Sequence, residues 1–288
     1  MKHHILLLLT VAVWGTTFVS TKVLLNCGLA PSEIFFLRFL AAYPAIFLLS
    51  PRKLRADSRK DELLFVAAGM TGGSLYFLAE NTALEITQAS NAALILCTAP
   101  LLTALCSRVL LKGDPSNRRL NRRWVFGSLL ALTGVAFVVF NGHFALGINP
   151  LGDVLALSAA LMWALYNVLV KQLDRTYSIA FITRKVFAYG LITVLPVFAF
   201  APFRTDVAGL SRPVVWINLL FLSLVASMLC FMAWNFAMKH LGAVRASSYL
   251  YLVPAVTLVT SSLVIGERIT SVALLGAAMI VGGVYLAK

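Results

Sequence analysis

Apolar residues dominate ten stretches of the chain, roughly 4–25, 33–50, 63–83, 90–111, 124–141, 151–171, 179–200, 214–238, 246–265 and 271–287. Turn chemistry separates several of them: Asn26 to Gly28 ahead of Pro31, Ser50 with Pro51, Gly113 to Pro115, Asn149 with Pro150, Ser211 to Pro213. A helix of about 20 residues spans the hydrocarbon core of a bilayer. Backbone groups in lipid must be satisfied within their own segment, so runs of this length predict helices. The fold class expected is all-α, an integral membrane protein with ten transmembrane helices. The first run follows Lys2, as a signal peptide would, but it continues to about Leu25 without a small-x-small cleavage site, which predicts a retained helix.

The pattern repeats. Residues 75–103 and 229–257 match at about a third of positions without a gap, including Phe77/Phe231, Ala79/Ala233, Asn81/Asn235, Pro100/Pro254 and Thr103/Thr257. Trp14 lies eight residues before Lys22, and Trp163 lies eight before Lys171. Arg38 with Tyr43 is echoed by Arg184 with Tyr189, and Gly127 with Gly134 by Gly276 with Gly283. Five helices make one half, and an odd number inverts the second copy. The expected halves are 1–142 and 143–288, together one transmembrane domain. Inverted repeats suit a site between the halves that opens to one side and then the other.

Composition agrees. The chain has 288 residues, 60% hydrophobic and only 12% charged, where soluble domains carry about 25% charge. A net charge of +13 is common in proteins that bind nucleic acid, but the basic residues form short clusters between apolar runs, so no nucleic-acid partner is expected. Those clusters follow the second, fourth, sixth and eighth runs, and the intervening connections are poor in them. Positive loops stay in the cytoplasm, which places both termini there. The four cysteines have no metal spacing and read as buried small apolar residues. No H-E-x-x-H, G-x-S-x-G or phosphate-loop motif occurs. Neither catalysis, nor a metal, nor a cofactor is expected.

W-x7-K in helices 1 and 6, Arg38 opening helix 2, Asn81 and Pro100 in helices 3 and 4, and Gly266–Glu267 before the last helix resemble the drug/metabolite transporter superfamily, in its EamA-type permease branch. The resemblance covers essentially the whole chain and is greatest to aromatic amino-acid exporters. It implies an inner-membrane transporter, often an exporter of amino acids or similar metabolites, with a central cavity lined by helices 1, 3, 4, 6, 8 and 9. The chain departs from the family in having Gly113–Asp114 where Gly-Glu is usual.

Candidate residues follow from polarity inside apolar runs. Glu80 shares a helix face with Tyr76 four residues earlier. It reads as an amine contact or proton carrier, or as a structural partner of Arg38 or Lys22. Asn81 and Asn235 are candidates for substrate contact and, more in keeping with such amides, for tying helices together. Trp14 and Trp163 lie near mid-depth, away from the interfacial belts. With Tyr166 and Asn167 they suit either stacking on an amphiphilic solute or helix packing. Tyr251 is a lesser candidate, as are Trp234 and Tyr249. Pro100 and Pro254, inside helices 4 and 9, are expected to act as hinges or to shape the cavity. Lys22, Lys171, Arg38 and Arg184 are read as anchors near helix ends. The glycine pairs of helices 5 and 10 point to close helix packing or a homodimer face. The function expected is secondary transport of a small-molecule substrate, amino acids above all, by a protein surrounded by lipid. A drug or amphiphile exporter is the alternative, and a membrane receptor or enzyme a more distant one.

Overall fold

The computed structural model describes residues 1–51, 55–87, 89–111, 122–140, 149–205, 211–265 and 269–287. Gly113–Asp114, Gly266–Glu267, His143 and the expected boundary at 142/143 lie outside the described residues, as do Arg52, Lys53, Lys112, Arg118, Arg119 and Arg268.

Helices make up the described chain. They are α1 (Lys2–Asn26), α2 (Pro31–Leu49), α3 (Arg59–Ile86), α4 (Ala89–Leu96, then Ala99–Leu110), α5 (Arg122–Phe140), α6 (Pro150–Leu173), α7 (Ile179–Phe200), α8 (Pro213–Leu241), α9 (Ala243–Ser247, continuing to Val253–Ile265) and α10 (Ser271–Ala287). Among the described residues nine are long and apolar enough to cross a membrane, and α10, at 17 residues, is a shorter tenth. Several starts carry their cap in the sequence. Pro31 opens α2, with the Glu33 carboxylate accepting from the Ala30 N–H at 2.9 Å. Asn149 accepts from the Gly152 N–H at 3.2 Å, and Ser178 from Phe181 N–H at 3.3 Å. Gly242, with φ +87°, supplies the left-handed turn between α8 and α9 that a Cβ would resist. Large apolar side chains such as Leu48, Leu63, Phe126, Leu263 and Leu274 stand exposed around the bundle, a surface that only lipid solvates well.

The two halves are inverted repeats, and the contact between α5 and α10 carries the signature of that relation. A Cβ on Gly127 would stand 2.6 Å from the Gly283 carbonyl oxygen, and one on Gly276 would stand 2.6 Å from the Gly134 oxygen. Since Gly127 corresponds to Gly276 and Gly134 to Gly283, each contact is the image of the other, as two-fold symmetry requires. The helices therefore run antiparallel, related by an axis lying in the membrane plane. The glycine pairs are used up within one chain, which removes them as a homodimer face. Both termini sit at one end of the bundle. His3 of α1 stacks on His240 at the end of α8, and Ala287 packs with Trp124, Ala104 and Val244.

Two helices in each half are interrupted at matching places. In α3 a π-helical segment, Met70–Ser74, contains a non-helical Gly73 (φ −128°, ψ −105°). In α8 a longer one spans Phe221–Leu229. The repeat shift of 154 carries the first segment into the second. The expected proline kinks are breaks rather than bends: Pro100 is the second residue of the later piece of α4, and Pro254 the second of Val253–Ile265, after a 3-10 turn at Ser248–Leu252. Proline favours the first turn of a helix, where its missing N–H is not needed.

Of the basic residues read as helix-end anchors, Arg38 is interior, while Arg184 is buried but at the end of α2, against its C-cap Ser50. Arg38 and Arg184 are 5% and 1% exposed. Arg184 donates to the Ser50 carbonyl and faces the Phe47 and Phe181 rings. Lys22 does stand exposed near the end of α1.

Candidate functional site

A cavity of about 300 Å³ lies between the halves. Its wall is drawn from α1, α2, α3, α4, α5, α6, α8 and α9, which adds α2 and α5 to the six helices expected. Lining residues fall late in α1 (Thr17, Thr21), late in α3 (Glu80, Leu84), early in α4 (Ala93, Leu96) and late in α5 (Val138, Val139). All of these positions lie toward the end of the bundle opposite the termini.

The floor is aromatic. Trp14 and Trp163, equivalent residues of the two repeats, meet edge to face with ring centroids 5.3 Å apart. Tyr76 lies 5.2 Å from Trp163, and Phe231 5.6 Å from it. Trp14 is fixed by a hydrogen bond from its indole N–H to the Ala226 carbonyl at 3.0 Å, in the π segment of α8. The Trp163 indole N–H is buried without a partner among the described residues. Gly72 of α3 leaves room for the Tyr166 ring: a Cβ there would sit 2.2 Å from Tyr166 Cδ2.

Two charges face this cavity. Glu80 accepts from the Tyr76 hydroxyl at 2.7 Å. Arg38 donates from Nε to the Leu222 carbonyl at 3.1 Å and to the Ser227 hydroxyl, and its guanidinium lies 4.6 Å from the centre of the Phe77 ring. It stands seven residues after Pro31, the first residue of α2, or about 10 Å into the helix.

The structure thus brings Trp14, Tyr76, Glu80, Trp163 and Pro254 to one cavity, along with Arg38, read from the sequence as an anchor or a partner of Glu80, and with Phe77, Phe231, Thr17 and Thr21, which were not among the candidates. The other candidates do not line it. Asn81 donates to the Pro31 carbonyl at 3.2 Å and ties α3 to α2. Asn235 accepts from the Tyr166 hydroxyl at 3.0 Å and donates to Thr183 at 3.4 Å, tying α8 to α6 and α7. Asn167 accepts from the Trp234 indole at 2.9 Å. Tyr251 packs among Ala131, Val135 and Ile280. Pro100 is buried beside the cavity residue Ala99.

Toward the termini the bundle is packed shut. Besides the Tyr166–Asn235 and Trp234–Asn167 bonds, His3 and His240 stack at 4.2 Å and His4 meets the Tyr249 hydroxyl at 2.5 Å. Lys171 bridges Asp174 at 3.2 Å and the Lys239 carbonyl at 3.0 Å. Burial pushes the Asp174 carboxyl above its usual range, and the Lys171 ammonium pulls against that.

The sequence model of the EamA-like transporter family matches this chain twice, at residues 1–140 and 150–287. The chain belongs to that family. Among relatives it is 29% identical to an "Uncharacterized transporter" of Archaeoglobus fulgidus, over 99% of this chain and 96% of that one. It is 28% identical to a "Probable amino-acid metabolite efflux pump" of Escherichia coli, over 99% and 94%. A "Probable terminal-alkyne amino-acid exporter" of Streptantibioticus cattleyicolor is also 28% identical, over 97% and 91%. A crystal structure superposes with a TM-score of 0.79 at 18% identity, covering 100% of this chain and 98% of that one, a likeness of fold. As an EamA-like transporter the chain is a multi-pass membrane protein, and its cavity falls between the two matched regions.

Proposed function

We propose that this EamA-like transporter moves small metabolites, amino acids foremost, out of the cell by alternating access, without a catalytic step. The observation that carries the reading is one cavity lined by both inverted halves, placed toward one end of the bundle and backed by a tight polar and aromatic seal at the other. Exchange of conformation between halves 1–142 and 143–288 would open the sealed end and close the other. The cavity's size argues for small solutes, since pockets for drug-sized ligands run from about 300 to 1,000 Å³ and this one is about 300 Å³. The amino-acid exporters among the relatives support the same substrate class. The alternating charge of the loops supports a cytoplasmic-membrane location with both termini in the cytoplasm.

Purified protein reconstituted in liposomes is expected to carry labelled amino acids in a saturable manner, with counterflow when unlabelled amino acid is held on the far side. A folded protein that moves none of them under either condition overturns the reading.

A further inference from the structure

We propose that Arg38 and Glu80 form a divided charge pair that reads a zwitterion, Arg38 taking its carboxylate and Glu80 its ammonium group. The proposal rests on the transport reading and names the substrate chemistry of that same cavity. Arg38 uses Nε on the backbone and Ser227 of α8 and one face on Phe77. Its two terminal nitrogens have no hydrogen-bond partner among the described residues, and no carboxylate there lies within ion-pairing distance, 4.0 Å. Glu80 has one oxygen on the Tyr76 hydroxyl and the other without a described partner. Both line the same cavity.

Two opposite charges held apart in an apolar wall are costly. A buried charge needs a partner, and a direct ion pair would be the cheap arrangement. Here the fold prevents it by anchoring each group elsewhere. Arg38 is pinned across the repeat interface to the π segment of α8, while Glu80 is held by its own helix through Tyr76. What remains is a planar guanidinium whose two terminal nitrogens are not engaged, the group that binds a carboxylate in bidentate fashion. On the wall of the same cavity is one carboxylate oxygen suited to an ammonium group. Apart from Thr17, Thr21, Thr257 and Cys97 the rest of the wall is aromatic or aliphatic, so the molecule that satisfies both charges carries a largely apolar body. A simple amine leaves Arg38 unmatched, and a simple carboxylate leaves Glu80 unmatched. Because Arg38 belongs to the first half and its anchor to the second, the subsite is complete only while α2 and α8 stay together. Ligand binding is thereby tied to the arrangement of the halves.

The test uses the full chain in liposomes with labelled L-phenylalanine as tracer and two competitors. L-Phenylalaninamide lacks the carboxylate, and 3-phenylpropionate lacks the ammonium group. The wild type is expected to prefer phenylalanine to either by about tenfold to a hundredfold, the worth of one charged hydrogen-bonding contact. Arg38→Gln should close the gap to the amide while keeping the gap to phenylpropionate, and Glu80→Gln should do the reverse. The double variant should lose both preferences. Thermal stabilisation by the same three compounds repeats the comparison without flux, and unliganded melting curves show which variants fold. Unaltered preferences in the single variants overturn the proposal. So does a double variant with wild-type flux and wild-type preferences, the behaviour of two charges that serve only each other. Failure of the folded wild type to move any amino acid strikes instead at the transport reading beneath it.

Discussion

Trp14 and Trp163 are the same residue of two repeats, yet only one is satisfied. The Trp14 N–H has the Ala226 carbonyl, whereas the Trp163 N–H, whose symmetry-equivalent acceptor would be the Gly72 carbonyl, has no partner among the described residues. A net hydrogen bond is worth about 1 kcal/mol, and an orphaned buried group costs about 1–3 kcal/mol. If the halves trade conformations, the bond passes from one tryptophan to the other. Trp14→Phe should therefore disfavour the present state, and Trp163→Phe should disfavour the opposite one. Cys97 lines the cavity and can report the balance once Cys27, Cys106 and Cys230 are replaced. Its labelling by a membrane-impermeant thiol reagent, added from the side opposite the termini, should slow in Trp14→Phe and quicken in Trp163→Phe. Changes in one direction for both would refute the exchange. At this scale the sequence disclosed part of the site. A charge or an indole at mid-depth is conspicuous in an apolar run, so Trp14, Glu80 and Trp163 could be found. Whether a polar side chain faces the cavity or the next helix depends on helix rotation, and helices apolar on all sides carry no signal for that. Asn81, Asn167 and Asn235 turned to neighbours for this reason. Arg38 escaped because span edges drawn from hydropathy drift by several residues, enough to move it from interior to rim.

At the scale of elements, apolar run length and turn residues were sufficient to count the helices and to see them repeat, because lipid leaves the backbone no other way to satisfy itself. The interruptions were less visible. Pro100 and Pro254 announced trouble, but a proline inside a run is compatible with either a kink or a fresh start, and the structure has the latter. The π segments in α3 and α8 have no residue code that periodicity can detect, apart from the Gly72–Gly73 pair. The α5–α10 contact, by contrast, was written in four glycines. Their carbonyls and the missing Cβ atoms approach within 2.5–2.6 Å, so any side chain forces backbone apart from backbone. Gly276→Ala should destabilise the protein by about 1–3 kcal/mol, as overpacking does in tight interiors. A thermal melt in detergent measures it, with Gly282→Ala as control, since a Cβ there meets nothing nearer than 3.9 Å. Equal melting temperatures for the two variants would show that the helices slide apart at no cost.

For the whole molecule, the question is what holds one end closed. The seal is built from side chains of α1, α6, α7, α8 and α9, so it joins both halves. Most of the contacts named above are aromatic or uncharged; the Lys171–Asp174 ion pair is charged, and at the same end Lys185 of α7 pairs with Glu62 of α3. Lys171 reaches from α6 to the last turn of α8 only while Asp174 orients it. Asp174 is 2% exposed, so Asp174→Asn leaves a lysine charge poorly matched next to Lys239 and Arg175. Lys171 is partly exposed, so losing its partner costs less than the about 3–5 kcal/mol of a fully buried pair, and part of that cost is relieved if water enters by opening this end. The variant should therefore shift the population toward the state open at the termini. Two readings report it: Cys97 labelling from the far side should slow, and a cysteine placed at Asn235 should become reactive from the termini side. Lys171→Met together with Asp174→Asn removes the mismatch and should return both rates toward the parent protein. If Asp174→Asn alone leaves both rates unchanged, the seal owes its strength to the aromatic and amide contacts. The trigger for opening must then be sought at Trp234 and Asn167.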